Sequence, residues 1–135
     1  MAYWLLKTEP STFSFADLQN AKTSPWDGVT NATALIHLST MHPGDHAVIY
    51  HTGDEKQAVG LATISSAPYA DPKQHNPKRV VVDVTAKSPL PNPVPLATLK
   101  TDKTFADSPL LRIGRLSVVP LTAAQWAAIL KHARV

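Results

Sequence analysis

The sequence contains no cysteine, no long apolar run and no cluster of lysine and arginine. The absence of cysteine excludes disulfides, thiolate nucleophiles and cysteine-ligated zinc, so packing alone has to hold the fold. No apolar stretch approaches the roughly 20 residues that span a bilayer, and the N-terminus lacks the basic region and cleavage site of a signal peptide. These absences predict a globular protein without a membrane partner and, by default, a cytoplasmic location.

The charge balance is only mildly basic. Thirteen lysines and arginines against ten acidic residues give a formal charge of +3, which permits a polyanionic partner without demanding one. Because the basic residues are scattered, phosphate contacts have to be assembled from distant parts of the chain, and the salt dependence of binding should be shallow. The length predicts a single domain over residues 1–135, with a monomer as the default state.

The sequence also lacks the common catalytic and metal-binding motifs. The six histidines, at positions 37, 42, 46, 51, 75 and 132, include no HExxH pair, and there is no Gly-x-Ser-x-Gly elbow or P-loop. His42 and His46 have i, i+4 spacing, but Pro43-Gly44 between them would break a helix. No metal site is expected, and no cofactor is required.

Local patterns predict strands and helices in the first half of the chain. A buried strand is expected over Tyr3–Lys7. Ser14 and Asp17 form a capping box that predicts a helix over about Phe15–Ala21. Helical spacing of apolar residues then predicts a second helix from Ala32 to a stop at Pro43-Gly44, followed by strands over His46–His51 and Ala58–Ile64.

The second half begins with a valine-rich strand over Arg79–Thr85, paired antiparallel with the strands before it. Ser88–Pro95 contains four prolines in eight residues, which argues against a central strand and favours an extended surface crossing. One helical turn is expected over Leu96–Lys100, and a last strand over Arg115–Val119, stopped by Pro120.

The C-terminal segment carries the strongest helix signal. Thr122 and Gln125 form a second capping box, and one face of the helix presents Trp126, Ile129, Leu130 and Ala133. The elements together predict an α+β, strand-rich fold with about three peripheral helices. Because short strands must close or be covered to remove their edges, a small barrel of antiparallel or mixed strands is the expected architecture.

Several motifs, in this order and spacing, resemble the EVE family over nearly the whole chain. They are Tyr3-Trp4-Leu5 before Lys7-Thr8-Glu9-Pro10, Trp26-Asp27-Gly28-Val29-Thr30-Asn31, Gly44-Asp45 before Tyr50-His51-Thr52, Val59-Gly60, Tyr69-Ala70-Asp71-Pro72, and Arg112-Ile113-Gly114-Arg115-Leu116-Ser117-Val118. The resemblance implies a PUA-like pseudo-barrel, related to YTH readers of methylated adenine, and a pocket for a base in RNA or DNA. Two positions depart from the family, which commonly has Arg in place of Thr30 and Ser in place of Thr52.

Trp26 is the first candidate for the pocket, because it lies in a loop flanked by proline and glycine, and a base can stack on its face. The alternative is that the indole plugs the end of the barrel. Val29, in the same motif, is assigned to the same pocket. Asn31 offers a donor and an acceptor to a base edge, although an asparagine at a helix start is as often simply the cap.

Strand ends supply the next candidates. Lys7 and Glu9 alternate with Thr8 and should project to one side of the sheet, where they meet either a ligand or each other. Tyr50 and His51 are neighbours on a strand, so one ring should point inward and the other outward. We expect Tyr50 as a pocket wall and His51 as a polar contact at the rim, the alternative being a core tyrosine and a solvated histidine.

Three further residues are candidates at the periphery. Tyr69, in a proline-rich loop, either closes the site or is an exposed turn aromatic. Arg112 and Arg115 present planar paired donors suited to phosphate, and Arg115 could instead pair with Asp107.

These residues favour a nucleic-acid-binding domain that reads a modified base, for example a methylated one, through an aromatic pocket. The first alternative is a small amidohydrolase like those among the PUA-like ASCH domains, with Thr8, Lys7 and Glu9 as nucleophile, base and acid. Because side chains alternate along a strand, Thr8 should point away from Lys7 and Glu9, which argues against the enzyme interpretation. The second alternative is a protein-interaction module with a vestigial pocket.

Overall fold

The computed structural model describes residues 1–74 and 76–135; His75 lies outside the described residues. Its strands are β1 Tyr3–Thr8, β2 Thr23–Pro25, β3 His46–His51, β4 Gln57–Ile64, β5 Tyr69–Ala70, β6 Val80–Val81, β7 Asp83–Pro95 and β8 Val118–Leu121. Its helices are α1 Phe15–Ala21, α2 Ala32–Ser39, α3 Leu96–Thr101, α4 Pro109–Arg112 and α5 Ala123–His132, with a 3-10 turn at Lys103–Phe105.

Six strands form one curled sheet in the order β2-β7-β4-β3-β1-β8, which makes a half-barrel. The sheet is mixed, because β1 runs parallel to β3 but antiparallel to β8, and the remaining neighbours are antiparallel. Strands β5 and β6 pair separately. The expectation of an α+β fold with antiparallel or mixed strands is confirmed, with five helices in the described residues where about three were predicted.

Helix starts follow local hydrogen-bonding chemistry. Ser14 and Thr122 each accept a hydrogen bond from the backbone of the third helical residue, whose own side chain bonds back, so both predicted capping boxes are present. Helix α1 has the predicted bounds, and α2 begins at the predicted Ala32 but ends at Ser39, before the predicted stop at Pro43-Gly44. These caps satisfy N–H groups that have no partner inside the helix.

The core lies on both sides of the central strands. Leu5, Leu6, Val48 and Ile49 are fully buried, and every residue of β3 after the first is buried. On β4, Gly60 lies directly under the ring of Phe15, and a Cβ added at this glycine would overlap the ring atoms. The sheet therefore packs closely against α1 at Gly60, because this residue has no side chain.

The proline-rich segment is a strand, which corrects the predicted surface crossing. Residues 88–95 continue β7, and Pro89 and Pro95 pair with β4. The prolines are tolerated because β2 pairs only with residues 83–85 on the other side, which leaves the rest of β7 at an edge. The register shifts between Ala58 and Gly60, so residues 90–93 bulge out of the ladder.

Two predicted strand boundaries were wrong. The Arg79–Thr85 segment divides into β6 and the start of β7, because the chain leaves β5 at this point to join the large sheet. The last strand begins at Val118, three residues later than expected, and runs through Pro120. Since β8 is an outer strand of the sheet, a missing proline N–H costs it no ladder bond.

A hydrogen bond between Asp102 and His132 ties the 3-10 turn to the last helix. One oxygen of Asp102 caps the N–H of Thr104 at 2.9 Å, and the other bonds His132 Nε2, also at 2.9 Å. The hydrogen bond from His132, followed by those from Thr104, lowers the pKa of Asp102 to about 2. The folded protein thus holds this carboxylate ionised at a pH where the unfolded chain would bind a proton.

We expect Asp102→Asn to lose a pH-dependent part of the free energy of unfolding. Because the folded pKa lies below the ordinary value of 3.8, the contribution is complete above about pH 4 and disappears as the pH falls towards 2. The side chains of Asp102 and His132 are both partly exposed, so screening by solvent limits this contribution to about 1 kcal/mol. Urea unfolding of the wild type and of Asp102→Asn across this pH range measures the contribution. The same pH dependence of the free energy of unfolding in both proteins would contradict the assignment.

Candidate nucleic-acid interface

A cavity opens at the C-terminal end of β1. Its volume is about 420 Å³, and we call it the Trp26 cavity. Its walls come from four stretches of the chain: the end of β1, the turn before α1, the segment of β2 and the loop after it, and the residue before β8. The lining residues are Lys7, Thr8, Glu9, Thr12, Phe13, Ser24, Pro25, Trp26, Asp27, Gly28, Val29 and Ser117.

Trp26 follows β2 directly, and its backbone N–H donates to Val82 O at 2.8 Å, which extends the pairing with the neighbouring segment. The indole is 6% exposed, and its ring meets the ring of Phe13 edge to face at a centroid distance of 6.2 Å. It therefore packs into the core on one side and borders the cavity on the other. Gly28 turns the loop away with φ +77, a conformation that favours glycine.

Lys7 and Glu9 both line this cavity, and so does Thr8 between them, which strand alternation had predicted to point away. Lys7 and Glu9 are not bonded to each other. Lys7 Nζ donates to Gly114 O at 3.0 Å and lies 5.8 Å from the centre of the Tyr50 ring. Glu9 accepts hydrogen bonds from Thr52 Oγ1 at 3.2 Å and Ser11 Oγ at 3.2 Å.

The electrostatics of these two residues differ. Lys7 is half-buried, and burial lowers the pKa of its ammonium group, because a charged group loses hydration there. Glu9 is exposed at the mouth. The cavity thus combines a poorly hydrated cation, an accessible carboxylate and an aromatic wall.

Tyr50 and His51 correct the expectation that only one of them would face inward. Tyr50 is 3% exposed and His51 is 8% exposed, because β3 is covered on both faces. The backbone N–H of Phe15 donates to His51 Nε2 at 3.0 Å, so the ring proton lies on Nδ1 and is donated to Glu55 at 2.9 Å. His51 therefore secures the start of α1, and neither ring lines the Trp26 cavity.

Val29 and Asn31, which follow Trp26, have different positions. Val29 lines the Trp26 cavity and Asn31 does not. Asn31 Oδ1 accepts the N–H of Ala34 at 3.0 Å and caps α2, which is the alternative that its position at a helix start favoured. The cap commits its side-chain oxygen, so a base contact would have to use the amide nitrogen.

Tyr69 is 36% exposed and does not line the cavity. Its hydroxyl donates to Asp83 Oδ1 at 2.6 Å, and this hydrogen bond is the main reason that its pKa is raised to about 12. The bond fastens β5 to the start of β7. A closing movement of Tyr69 over the cavity would have to break it.

The two arginines lie on the exposed turn before β8. Arg112 pairs with Asp107 at 2.7 Å, with both side chains largely exposed, so the partner considered for Arg115 belongs to Arg112 instead. Arg115 is exposed and directly follows Gly114, the acceptor of Lys7. Arg115 is thus the better placed of the two for contact with an anion.

Phe13 and Ser117 line the cavity but were not assigned to it from the sequence. Nothing near Phe13 in the sequence indicates that it meets Trp26. Ser117 belongs to the last of the family-like motifs, which is the one signal that pointed to it. Both contacts depend on long-range pairing of strands.

The side chain of Thr8 is poorly placed for nucleophilic chemistry. Its hydroxyl donates to Phe13 O at 2.6 Å, which fixes the turn between β1 and α1 and directs the proton to a carbonyl. A nucleophile needs its proton directed to a base. No three His, Asp or Glu side chains in residues 1–74 and 76–135 come close enough to hold a metal ion.

This curled mixed sheet with peripheral helices and a cavity at one end is the architecture of PUA-like domains. A distant structural likeness shows the same fold: the YTH domain of the Zygosaccharomyces rouxii MRB1 protein, solved in complex with N6-methyladenosine RNA. It is 14% identical with a TM-score of 0.63, covering 98% of this chain and 86% of that one.

The family follows from the sequence. The model of the EVE domain family matches residues 2–132, and the chain belongs to this family, which confirms the resemblance. Human thymocyte nuclear protein 1 is 31% identical, over 96% of this chain and 72% of that protein. No helix among the described residues has the length and apolarity to cross a membrane. The relative's name mentions the nucleus, so the cytoplasmic location stays a prediction.

Two solved structures are close relatives. A protein of Rhodopseudomonas palustris is 40% identical with a TM-score of 0.92, covering 99% of this chain and 94% of that one. The human thymocyte nuclear protein, solved in complex with DNA that contains 5-methylcytosine, is 30% identical with a TM-score of 0.90, covering 100% and 99% of the two chains.

Proposed function

We propose that this chain is a nucleic-acid-binding domain that holds a single modified base in the Trp26 cavity. The observation that carries the proposal is the cavity itself: about 420 Å³, within the range of small-ligand pockets, with an aromatic wall and two charged groups at the end of β1. The human relative that was solved with methylated DNA supports the same class of ligand.

The lining suits a flat heterocycle. The rings of Trp26 and Phe13 border the cavity and provide apolar contact, and stacking of a base on an aromatic ring contributes about 1–3 kcal/mol whichever base it is. Selectivity has to come from the edge of the base. Lys7 donates and Glu9 accepts there, and Val29 gives an apolar surface for a methyl group.

The assigned roles differ among the candidates. Trp26, Lys7, Glu9 and Val29 contact the base, and Arg115 contacts the phosphate backbone. The ring of Tyr50 packs near the ammonium group of Lys7, which lies 5.8 Å from the centre of the ring. His51 and Asn31 hold the helices that frame the cavity. The domain acts by binding, with no chemical step.

Titration of short fluorescein-labelled oligonucleotides, followed by anisotropy, tests the proposal. An oligonucleotide with one 5-methylcytosine should bind saturably, and its unmodified counterpart about tenfold more weakly, which is the usual effect of one methyl-sized group in an apolar pocket. Equal affinity for both would leave a nucleic-acid-binding domain without base selectivity. Absence of binding to either would favour the protein-interaction module.

The same samples test the enzyme alternative. After prolonged incubation, chromatography of the nucleosides should return the modified base unchanged. Conversion of that nucleoside by the wild-type protein, abolished by Thr8→Val, would overturn the binding-only function.

A further inference from the structure

A second cavity lies on the far side of Lys7. Its volume is about 170 Å³, and we call it the Lys56 cavity. Among the residues that the structure describes, Lys7 is the one that lines both cavities, so it forms the wall between them. At about 30 Å³ for each water molecule, the Lys56 cavity has room for a small hydrated group but not for a second nucleoside.

The chemistry of the Lys56 cavity is that of an anion site. Lys7 and Lys56 line it together with the side chains of Tyr50 and Thr52, and no carboxylate is among its described lining residues. Lys7 Nζ uses one of its three protons on Gly114 O, so two remain for other acceptors. The exposed Arg115 follows Gly114 at the same rim.

The neighbouring acids already have hydrogen-bond donors, and one of them, Glu9, lies at the edge of this cavity because its donor Thr52 is a lining residue. Glu9 accepts from Thr52 and Ser11, and Glu55 accepts from His51. Burial lowers the pKa of Lys7, because the half-buried ammonium group loses hydration. An anion beside this ammonium group would offset the lost hydration.

Lys56 is held at the rim by the backbone. Its carbonyl accepts the N–H of Leu96 at 2.8 Å, which links the turn between β3 and β4 to the start of α3. The side chain itself is exposed and forms no ion pair in the part of the chain that the structure describes. It can therefore move onto a ligand without breaking an existing contact.

We propose that the Lys56 cavity binds the backbone phosphate next to the base that the Trp26 cavity holds. This inference rests on the proposed function. One sugar separates a flipped base from its phosphates, so a phosphate site has to adjoin the base site, and a shared Lys7 wall provides that adjacency. The strand then runs from the Trp26 cavity past Lys7 towards the turn between β3 and β4.

The test compares Lys56→Gln with Lys87→Gln, using a short labelled single-stranded oligonucleotide that contains one 5-methylcytosine. Lys87 is an exposed lysine in β7. It lies opposite the middle of β4, about five residues along β4 from Lys56. The dissociation constant is measured across a range of salt concentrations for both variants and the wild type.

We expect Lys56→Gln to bind about three- to tenfold more weakly at low salt. Its slope of log K against log salt should be shallower by about 0.7, the effect of one lost phosphate contact on a single strand. The preference for the methylated oligonucleotide should be retained, and Lys87→Gln should match the wild type.

Three other outcomes separate the proposals. A wild-type slope for Lys56→Gln overturns the phosphate site and leaves the base pocket standing. An equal loss in Lys87→Gln shows diffuse electrostatic attraction and also overturns it. A wild-type protein that binds neither oligonucleotide refutes the proposed function, and this inference with it.

Discussion

Replacement of Trp26 by leucine should weaken binding of the methylated oligonucleotide by tenfold or more. Leucine keeps an apolar side chain at the position but removes the aromatic face, and stacking on such a face contributes about 1–3 kcal/mol. Trp26→Phe retains a smaller face and should lie between the wild type and Trp26→Leu. Anisotropy titration measures all three dissociation constants.

The fold has to be monitored in the same experiment, because the indole is 6% exposed. Large-to-small changes at buried positions cost about 2–5 kcal/mol, so Trp26→Leu should also unfold at lower temperature. Binding is therefore compared below the unfolding transition of the variant, as established by circular dichroism.

Trp126→Leu is the matched control. Trp126 stacks on Tyr3 at a centroid distance of 5.2 Å and contacts His46, at the opposite end of β1 from the Trp26 cavity. Its replacement should affect stability and leave the affinity for the oligonucleotide unchanged. Wild-type affinity in a folded Trp26→Leu protein would show that no base stacks on this indole.

Gly60→Ala should destabilise the protein by about 1–3 kcal/mol, the usual cost of forcing extra atoms into a packed core. An added Cβ would overlap the ring of Phe15, which is 4% exposed and cannot move aside freely. Urea unfolding gives the change in the free energy of unfolding.

The chain offers a matched control for this change too. A Cβ built at Gly114 meets nothing within 4 Å, so Gly114→Ala should leave stability nearly unchanged. Phe15→Leu should rescue part of the loss when combined with Gly60→Ala, a coupling that a double-mutant cycle measures. If the changes in the free energy of unfolding caused by Gly60→Ala and Phe15→Leu are additive, the sheet accommodates the added Cβ by shifting, and the Phe15 ring does not move.

The sequence predicted best those features that neighbouring residues determine. The bounds of α1 depend on the Ser14 cap, and those of α5 on Thr122, because a cap and the N–H group it satisfies lie three residues apart. The β3 strand was also predicted with its observed bounds, since its β-branched and aromatic residues are contiguous.

Features that depend on the order of strands could not be predicted. The proline-rich end of β7 is a strand because it lies at an edge, and His51 is buried where the start of α1 packs against the end of β3. Neither fact is visible in a local pattern. The pairing of Arg112 with Asp107 likewise depends on the geometry of α4.

The residues of the candidate site also divide into those that local sequence indicated and those that it did not. Lys7, Glu9, Trp26 and Val29 line one cavity as the motifs indicated. Phe13 and Ser117 complete it from positions that local sequence does not connect to Trp26. The Lys56 cavity arises because β1 and β3 run parallel and bring Lys7 beside Tyr50.

The prolines of β7 also affect how this protein meets other molecules. A strand that is open on one side is a template on which a second chain can add, provided that N–H donors are available. Pro89, Pro91, Pro93 and Pro95 have no N–H to offer, residues 90–93 bend away from the ladder, and the N–H of Asn92 is already donated to Ala133 O at 3.1 Å. This end of β7 is therefore a poor template for the addition of a strand from a second copy of the chain.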